Sequence, residues 1–291
     1  MAAEENVIKK SDLARAREVV YAYRFAESIR GLMEILNITR PIQKQAGTVL
    51  KAYQATGTLE SGDVAEGDII PLSNFKTEVA FTKEVELSKY RKASTAEAIL
   101  KGGYDQAVNE TNAKALSEAQ KGIKSSFYEI LGSTPGSTPA TGEGLQKLLA
   151  NANAQLAIKF EYSDYEPVHI VNPLDLADYL GNAAISLQNA YGLKYINDFL
   201  GLGTVIVTAS VPQGTTYSTA KENINLYYVN VREENGLGDG FDFRTDETGL
   251  VGIYIGPTYN RMQVETVIVT AVTFFPERTD GIIIGTISDE A

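Results

Sequence analysis

Few residues in this chain have the type and spacing to do covalent or metal chemistry. The chain has 291 residues, no Cys, no Trp and a single His, His169. Disulfides and thiolate-held metals are therefore excluded, and a metal site with several imidazoles cannot be built from one chain. His169 sits between Val168 and Ile170 with no partner motif beside it, the setting of a satisfied structural residue in a strand. GLGTVI at 201–206 offers Gly201 and Gly203, but a third glycine at dinucleotide-binding spacing is missing, and the pair precedes an apolar run where the fingerprint follows one. It reads as a turn. The acidic, Gly-rich stretch GLGDGFDFRTDETG places Asp239, Asp242 and Asp246 off the calcium-loop spacing and reads as a solvated loop. Other carboxylates are abundant, and no pair stands out as the flanking pair of a glycosidase. No catalytic, cofactor-binding or metal-binding residue is assigned, and no enzymatic activity is expected.

The elements tell more than the motifs. Apolar residues make up 44% of the chain, enough for a packed core, and no apolar run approaches the length of a membrane span. The opening MAAEENVIKK lacks an apolar signal core, so secretion is not expected. Net charge is −11 and uneven: residues 1–51 carry nine Lys/Arg against six Asp/Glu, while residues 133–291 carry eight against nineteen. That acidic bulk does not suit a nucleic-acid grip, which needs clustered positive charge.

Residues 12–36 have helical periodicity behind a Ser11 cap and end before Asn37 and Pro41. Residues 46–89 read as one long hairpin. TEVAFTKEVEL alternates, with Val79, Phe81, Val85 and Leu87 on one side, and the tip ESGDVAEGD is acidic. A hairpin that long is marginal alone. It either lies on its own domain or docks on another subunit. Residues 94–131 read as a long helix with a thin apolar stripe, capped by Ser94 or Thr95. Gly102-Gly103 marks either a bend in it or a boundary between two helices. GSTPGSTPAT at 132–141 has the composition of a flexible linker. Beyond it come a helix at 143–159, a strand in EPVHIV, a helix in LDLADYLGNAA, and β-rich runs TVIVTASV and NINLYYVNV separated by PQGTTYS as a turn segment. QVETVIVTAVTFF and GIIIGTI close the chain as strands.

This order, with EPVHIVNPLDLADYL (Asn172, Pro173), the Val211-Pro212-x-Gly214 stretch and the closing strands, resembles the major capsid protein of tailed bacteriophages, of the Hong Kong 97 type. The resemblance covers essentially the whole chain and implies an α+β fold. Its parts would be an N-terminal arm (1–45), an E-loop hairpin (46–90), a P-domain spine helix and linker (91–141), an A domain (142–255) and returning P-domain strands (256–291). It implies a homo-oligomer of pentamers and hexamers, assembled in the host cytoplasm around DNA held without sequence-specific binding. Portal and head-completion proteins would be partners. So would a separate scaffolding protein, since no long polar segment precedes the arm. One subgroup of the family cross-links an E-loop Lys to an Asn of a neighbour. Residues Glu60 to Asp68 contain no Lys, so a noncovalent shell is expected.

The subunit-contact candidates are Glu60, Asp63, Glu66 and Asp68 at the tip, facing Lys89, Arg91 and Lys92 of a neighbour; the plain alternative is a solvated turn. Gly102 and Gly103 are hinge candidates, where Ala at both positions should hinder shell expansion. Two other readings stand beside this one: an encapsulin-like nanocompartment shell, and a Thr/Tyr-rich adhesion or carbohydrate-binding module.

Overall fold

Thr95 ends a strand and starts a helix. Its extended backbone and its hydroxyl, which accepts the Ala98 amide at 3.2 Å, cap the first turn. Asn172 does the same further on, accepting the Leu174 amide at 2.9 Å, with Pro173 at the first helical position where its missing N–H costs nothing.

The computed structural model describes residues 35–65, 67, 69–161, 164–180, 188–190, 193–196, 202–231, 240–246 and 248–288. Apart from a helical turn at 35–38, the helix expected over 12–36 lies outside them. In chain order the strands are β1 (Arg40–Gln43), β2 (Val49–Thr58), β3 (Asn74–Glu84) and β4 (Ser88–Thr95). Helix α1 (Ala96–Gly102), a π turn (Asp105–Glu110) and α2 (Thr111–Ser133) follow. Next come β5 (Thr138–Glu143), α3 (Gly144–Lys159), β6 (Pro167–Val171), α4 (Pro173–Leu180), β7 (Gln188–Ala190) and β8 (Leu193–Ile196). The rest is strand: β9 (Thr204–Val207), β10 (Thr215–Ala220), β11 (Ile224–Tyr228), β12 (Arg244–Thr245), β13 (Val251–Thr258), β14 (Gln263–Thr270), β15 (Val272–Pro276) and β16 (Ile282–Ser288).

The strands form a seven-stranded mixed sheet, β5-β16-β10-β6-β9-β8-β7, an antiparallel sheet β12-β13-β14-β4, a small sheet β1-β11-β15, and the hairpin β2-β3. The seven-stranded sheet is covered on both faces. Val168, Ile170, Ile206, Tyr217 and Ile282 pack against Ile123, Phe127 and Leu131 of α2. On the other face Val171, Val205 and Val207 meet Leu145 and Leu149 of α3 and Leu176 of α4. Phe127 meets Phe274 of β15 edge-on at 5.3 Å, so α2 ties the sheets together. The thin stripe expected on this helix widens in its C-terminal half, where Phe127, Tyr128, Ile130 and Leu131 are all buried. Among the described residues no helix is long and apolar enough to cross a membrane.

Two expectations fail here. Residues 138–143 are not linker but strand β5, paired in parallel with β16 from Ile283 to Ser288. And the supposed turn segment carries β10, which sits inside the sheet between β16 and β6.

Candidate functional site

The hairpin divides into two halves. Near its base Leu50 and Val85 pack with Phe275 of β15, and Phe81 stacks on Phe275 at 5.2 Å. Thr273 Oγ1 donates to Glu84 O at 3.3 Å. The hairpin thus starts on its own body. A bulge at Ala52/Tyr53 shifts the β2–β3 register, and beyond it the two strands pair with each other and are mostly exposed among the described residues. Tyr53 is 64% exposed, Ile69 93% and Leu72 94%, with Leu59, Ile70, Phe75 and Val79 also exposed. Gly57 is needed in this half: a Cβ there would lie 2.5 Å from Asn74 O and 2.6 Å from the Phe75 ring. So many apolar side chains in water on a two-stranded ribbon mark an interaction surface.

At the tip Glu60 and Asp63 are exposed, the Glu60 amide donating to Ser73 Oγ at 3.0 Å. Glu66 and Asp68 lie outside the described residues. The three basic candidates do not share a face. Strand alternation puts Lys89 and Arg91 on one side of β4 and Lys92 on the other. Arg91 donates to both carboxylate oxygens of Glu265 on β14, at 3.2 and 2.8 Å, and this hydrogen bonding is the main cause that holds the Glu265 pKa below its ordinary value. The Lys92 ammonium turns inward, donating to Thr111 Oγ1, Asn112 Oδ1 and Val108 O, and burial lowers its pKa to about 8. The glycine candidates sit at a true break. Gly102 ends α1, Gly103 adopts φ +83°, and the π turn begins two residues later. The break was readable in the sequence; the π turn was not, because it has no composition of its own.

Two of the three stretches that carried the sequence resemblance meet in space. Asn172 Nδ2 donates to Val211 O at 2.6 Å, and the Gly214 amide donates to both Asp175 oxygens at 3.1 and 2.9 Å. Burial raises the Asp175 pKa, the Gly214 amide opposes the rise, and Asp178 adds to it. His169 is fully buried, with Nδ1 2.7 Å from Ser218 Oγ and Nε2 3.0 Å from Leu202 O. The carbonyl can only accept, so the proton sits on Nε2 and the serine donates to Nδ1. Burial lowers the His169 pKa, outweighing the Leu202 hydrogen bond. Gly203 turns the chain with φ +107° against Pro167. Gly201 and Asp239 lie outside the described residues, and Asp242 is exposed. Asp246 organises its own loop, accepting from Gln120, Thr248 and the Val251 amide. Among the described residues no group of three or more acidic or His side chains is arranged to hold a metal.

No protein-family model matches the chain, and no curated protein matches it in sequence. Solved structures do match. That of Mycobacterium phage Patience is 14% identical, covers 100% of this chain and 95% of its own, and superposes with a TM-score of 0.57. The capsid of Cyanophage A-1(L) is 12% identical over 89% of this chain and 93% of its own, with a TM-score of 0.59. The chain has the Hong Kong 97-type capsid fold. The same fold is shared with the holo-SrpI encapsulin complex from Synechococcus elongatus, 10% identical, covering 93% of this chain and 95% of its own, with a TM-score of 0.57. At such identities the likeness is one of backbone architecture. What this chain does with the Hong Kong 97-type fold must come from its own surfaces.

Proposed function

We propose that this chain is the major head protein of a tailed bacteriophage, a structural subunit that self-assembles through pentamers and hexamers into an icosahedral shell around double-stranded DNA. The half-covered hairpin carries the reading: its base is seated on its own body, while Tyr53, Ile69, Ile70, Leu72 and Phe75 are left in water. A second copy supplies the missing cover. The likeness in fold to phage capsids over nearly the whole chain supports this, and so does the acidic balance, which would not bind a packaged genome tightly.

In this reading residues 1–45 form the arm, 46–90 the E-loop, 91–141 the spine helix and its exit, 142–255 the A domain and 256–291 the returning strands. Glu60, Asp63, Glu66 and Asp68 of one subunit face Lys89 of the next; Arg91 is already paired with Glu265 of its own chain. Lys92 is committed within its own chain. Exposed pairs of this kind contribute about 0–1 kcal/mol each and so fix register more than affinity. Charge reversal at the four acidic positions should leave a folded subunit that assembles poorly; normal particles from that variant would remove the tip from the interface.

The direct test is negative-stain microscopy of the recombinant protein at assembly concentration, followed by analysis of the contents of particles from the native source. Closed shells holding DNA are expected. A monomer that never assembles would overturn the reading. Shells filled with a protein cargo would favour the second one, an encapsulin-like compartment, which the equally good superposition on the encapsulin supports.

A further inference from the structure

Most of the helical run from Ala96 to Ser133 is held by its own backbone, but the π turn at Asp105–Glu110 is also held by side chains. Thr111 Oγ1 donates to Ala107 O at 2.8 Å and lies 3.1 Å from Val108 O. From outside the helix, Ser94 Oγ of β4 donates to the same Ala107 O at 2.7 Å. Two residues earlier on the same face of β4, Lys92 Nζ reaches Val108 O at 3.2 Å, Asn112 Oδ1 at 2.5 Å and the Thr111 hydroxyl. Thr266 Oγ1 of β14 adds a donor to Asn112 Oδ1 at 2.8 Å. The three protons of one ammonium are thus directed at the point where the helix changes its hydrogen-bond pattern. π turns are rare and occur as isolated turns, and a side chain inserted into the ladder is one of the few causes of a local break in a helix.

The segments on either side of this turn are held unequally, while Ala107 and Val108 within it are fully buried. Gly103, at φ +83° with open space where a Cβ would stand, joins α1 to the turn. α1 itself is lightly seated: Ala98 is its buried residue, and Leu100 projects into water. By contrast α2 is anchored through Ile123, Phe127 and Leu131. Residues 103–110 therefore connect a loosely held helix to a firmly held one.

We propose that Lys92 is a latch: with its ammonium seated on Val108, Thr111 and Asn112, α1 and α2 move as one piece, and with it withdrawn residues 103–110 become a hinge. The latch is a property of the single subunit and does not depend on whether that subunit builds a shell. If it does, a neighbour engaging Lys89 acts on the strand that carries the latch on its opposite face. That clause alone rests on the assembly reading.

Amide hydrogen exchange on the unassembled subunit tests the latch. In Lys92→Met, which keeps the length of the side chain and removes its donors, exchange at amides 103–112 should rise about tenfold or more, with amides 120–131 of α2 unchanged. Thr111→Val removes the hydroxyl that touches both carbonyls and the ammonium. It should raise exchange at the same amides about threefold, and it serves where Lys92→Met does not fold. Exchange at 103–112 that stays at the wild-type rate, or a rise spread evenly through α2, would show that Lys92 is only a buried structural residue and would overturn the latch.

Discussion

Strand β10 and the outer half of the hairpin have burial opposite to what their sequences suggest. β10 reads TTYSTA, nearly all hydroxyl side chains, yet five of its six residues are buried. Strand β3 and the return before it hold Val79, Phe75, Leu72, Ile70 and Ile69, yet all are exposed. The difference lies in where partners are found. Two hydroxyls of β10 find them inside the subunit: Ser218 donates to His169, and Thr219 Oγ1 donates to Gly281 O at 3.1 Å and accepts from Asn223 Nδ2, while the buried Thr216 Oγ1 is left without one. A satisfied hydroxyl in a close-packed site loses little by burial. Beyond the base, the hairpin's apolar groups find no cover among the described residues. One region is largely completed within the monomer, and the other, in the function proposed above, is completed by a second copy.

The contrast can be broken or sharpened by substitution, judged first by what happens to the stability of the isolated subunit. Phe127→Ala, which removes a fully buried ring on the α2 side of the seven-stranded sheet, should cost about 3–5 kcal/mol in denaturant unfolding. Asn172→Ala leaves Val211 O and the Leu174 amide without their partner and should cost about 1–3 kcal/mol by the same measurement. A smaller effect should come from acid. His169 is neutral in the fold and its pKa is lowered, so its contribution is fully present above its ordinary pKa of about 6.5 and is lost as pH falls below that value. The thermal midpoint should drop as pH falls from about 7 to about 5, and His169→Gln should flatten that drop. Ile70→Ser combined with Leu72→Ser should be the mildest for the subunit, within about 0.5 kcal/mol of wild type, while particle formation is lost. If those two serines instead destabilise the monomer by as much as Phe127→Ala does, the hairpin belongs to its own body and the contrast disappears.

How far the sequence could be read follows the same line. The hairpin, the long helix and the break at Gly102-Gly103 announce themselves through alternation, 3.6-residue periodicity and a glycine pair. Strand β10 does not, because Thr216, Ser218 and Thr219 carry no apolar pattern; Ser218 and Thr219 are buried against partners many residues away, His169 and Gly281. Strand β5 was hidden for a similar reason. Pro139 and the neighbouring Ser, Thr and Gly look like a linker, and the edge position that tolerates a proline is visible only once β16 is placed beside it. Lys89, Arg91 and Lys92 looked like one basic cluster, and the alternation of β4 divides it. That Lys92 meets a π turn follows from tertiary packing, and local sequence holds no sign of it. The side-chain union of Asn172 with Val211 was likewise unreadable, although both segments were noticed separately.

The pairing of β5 with β16 has a consequence for how the molecule is made. It joins residues 138–143 to residues 283–288, and α2 packs on side chains as late as Ile282. A nascent chain cannot close the seven-stranded sheet until its last strand has left the ribosome. Contacts so distant along the chain are slow to form. The hairpin, built from neighbouring residues, is available much earlier, but its seat on Phe275 is not. If the chain builds a shell as proposed, synthesis itself would therefore delay the docking-competent form until the last strand is made.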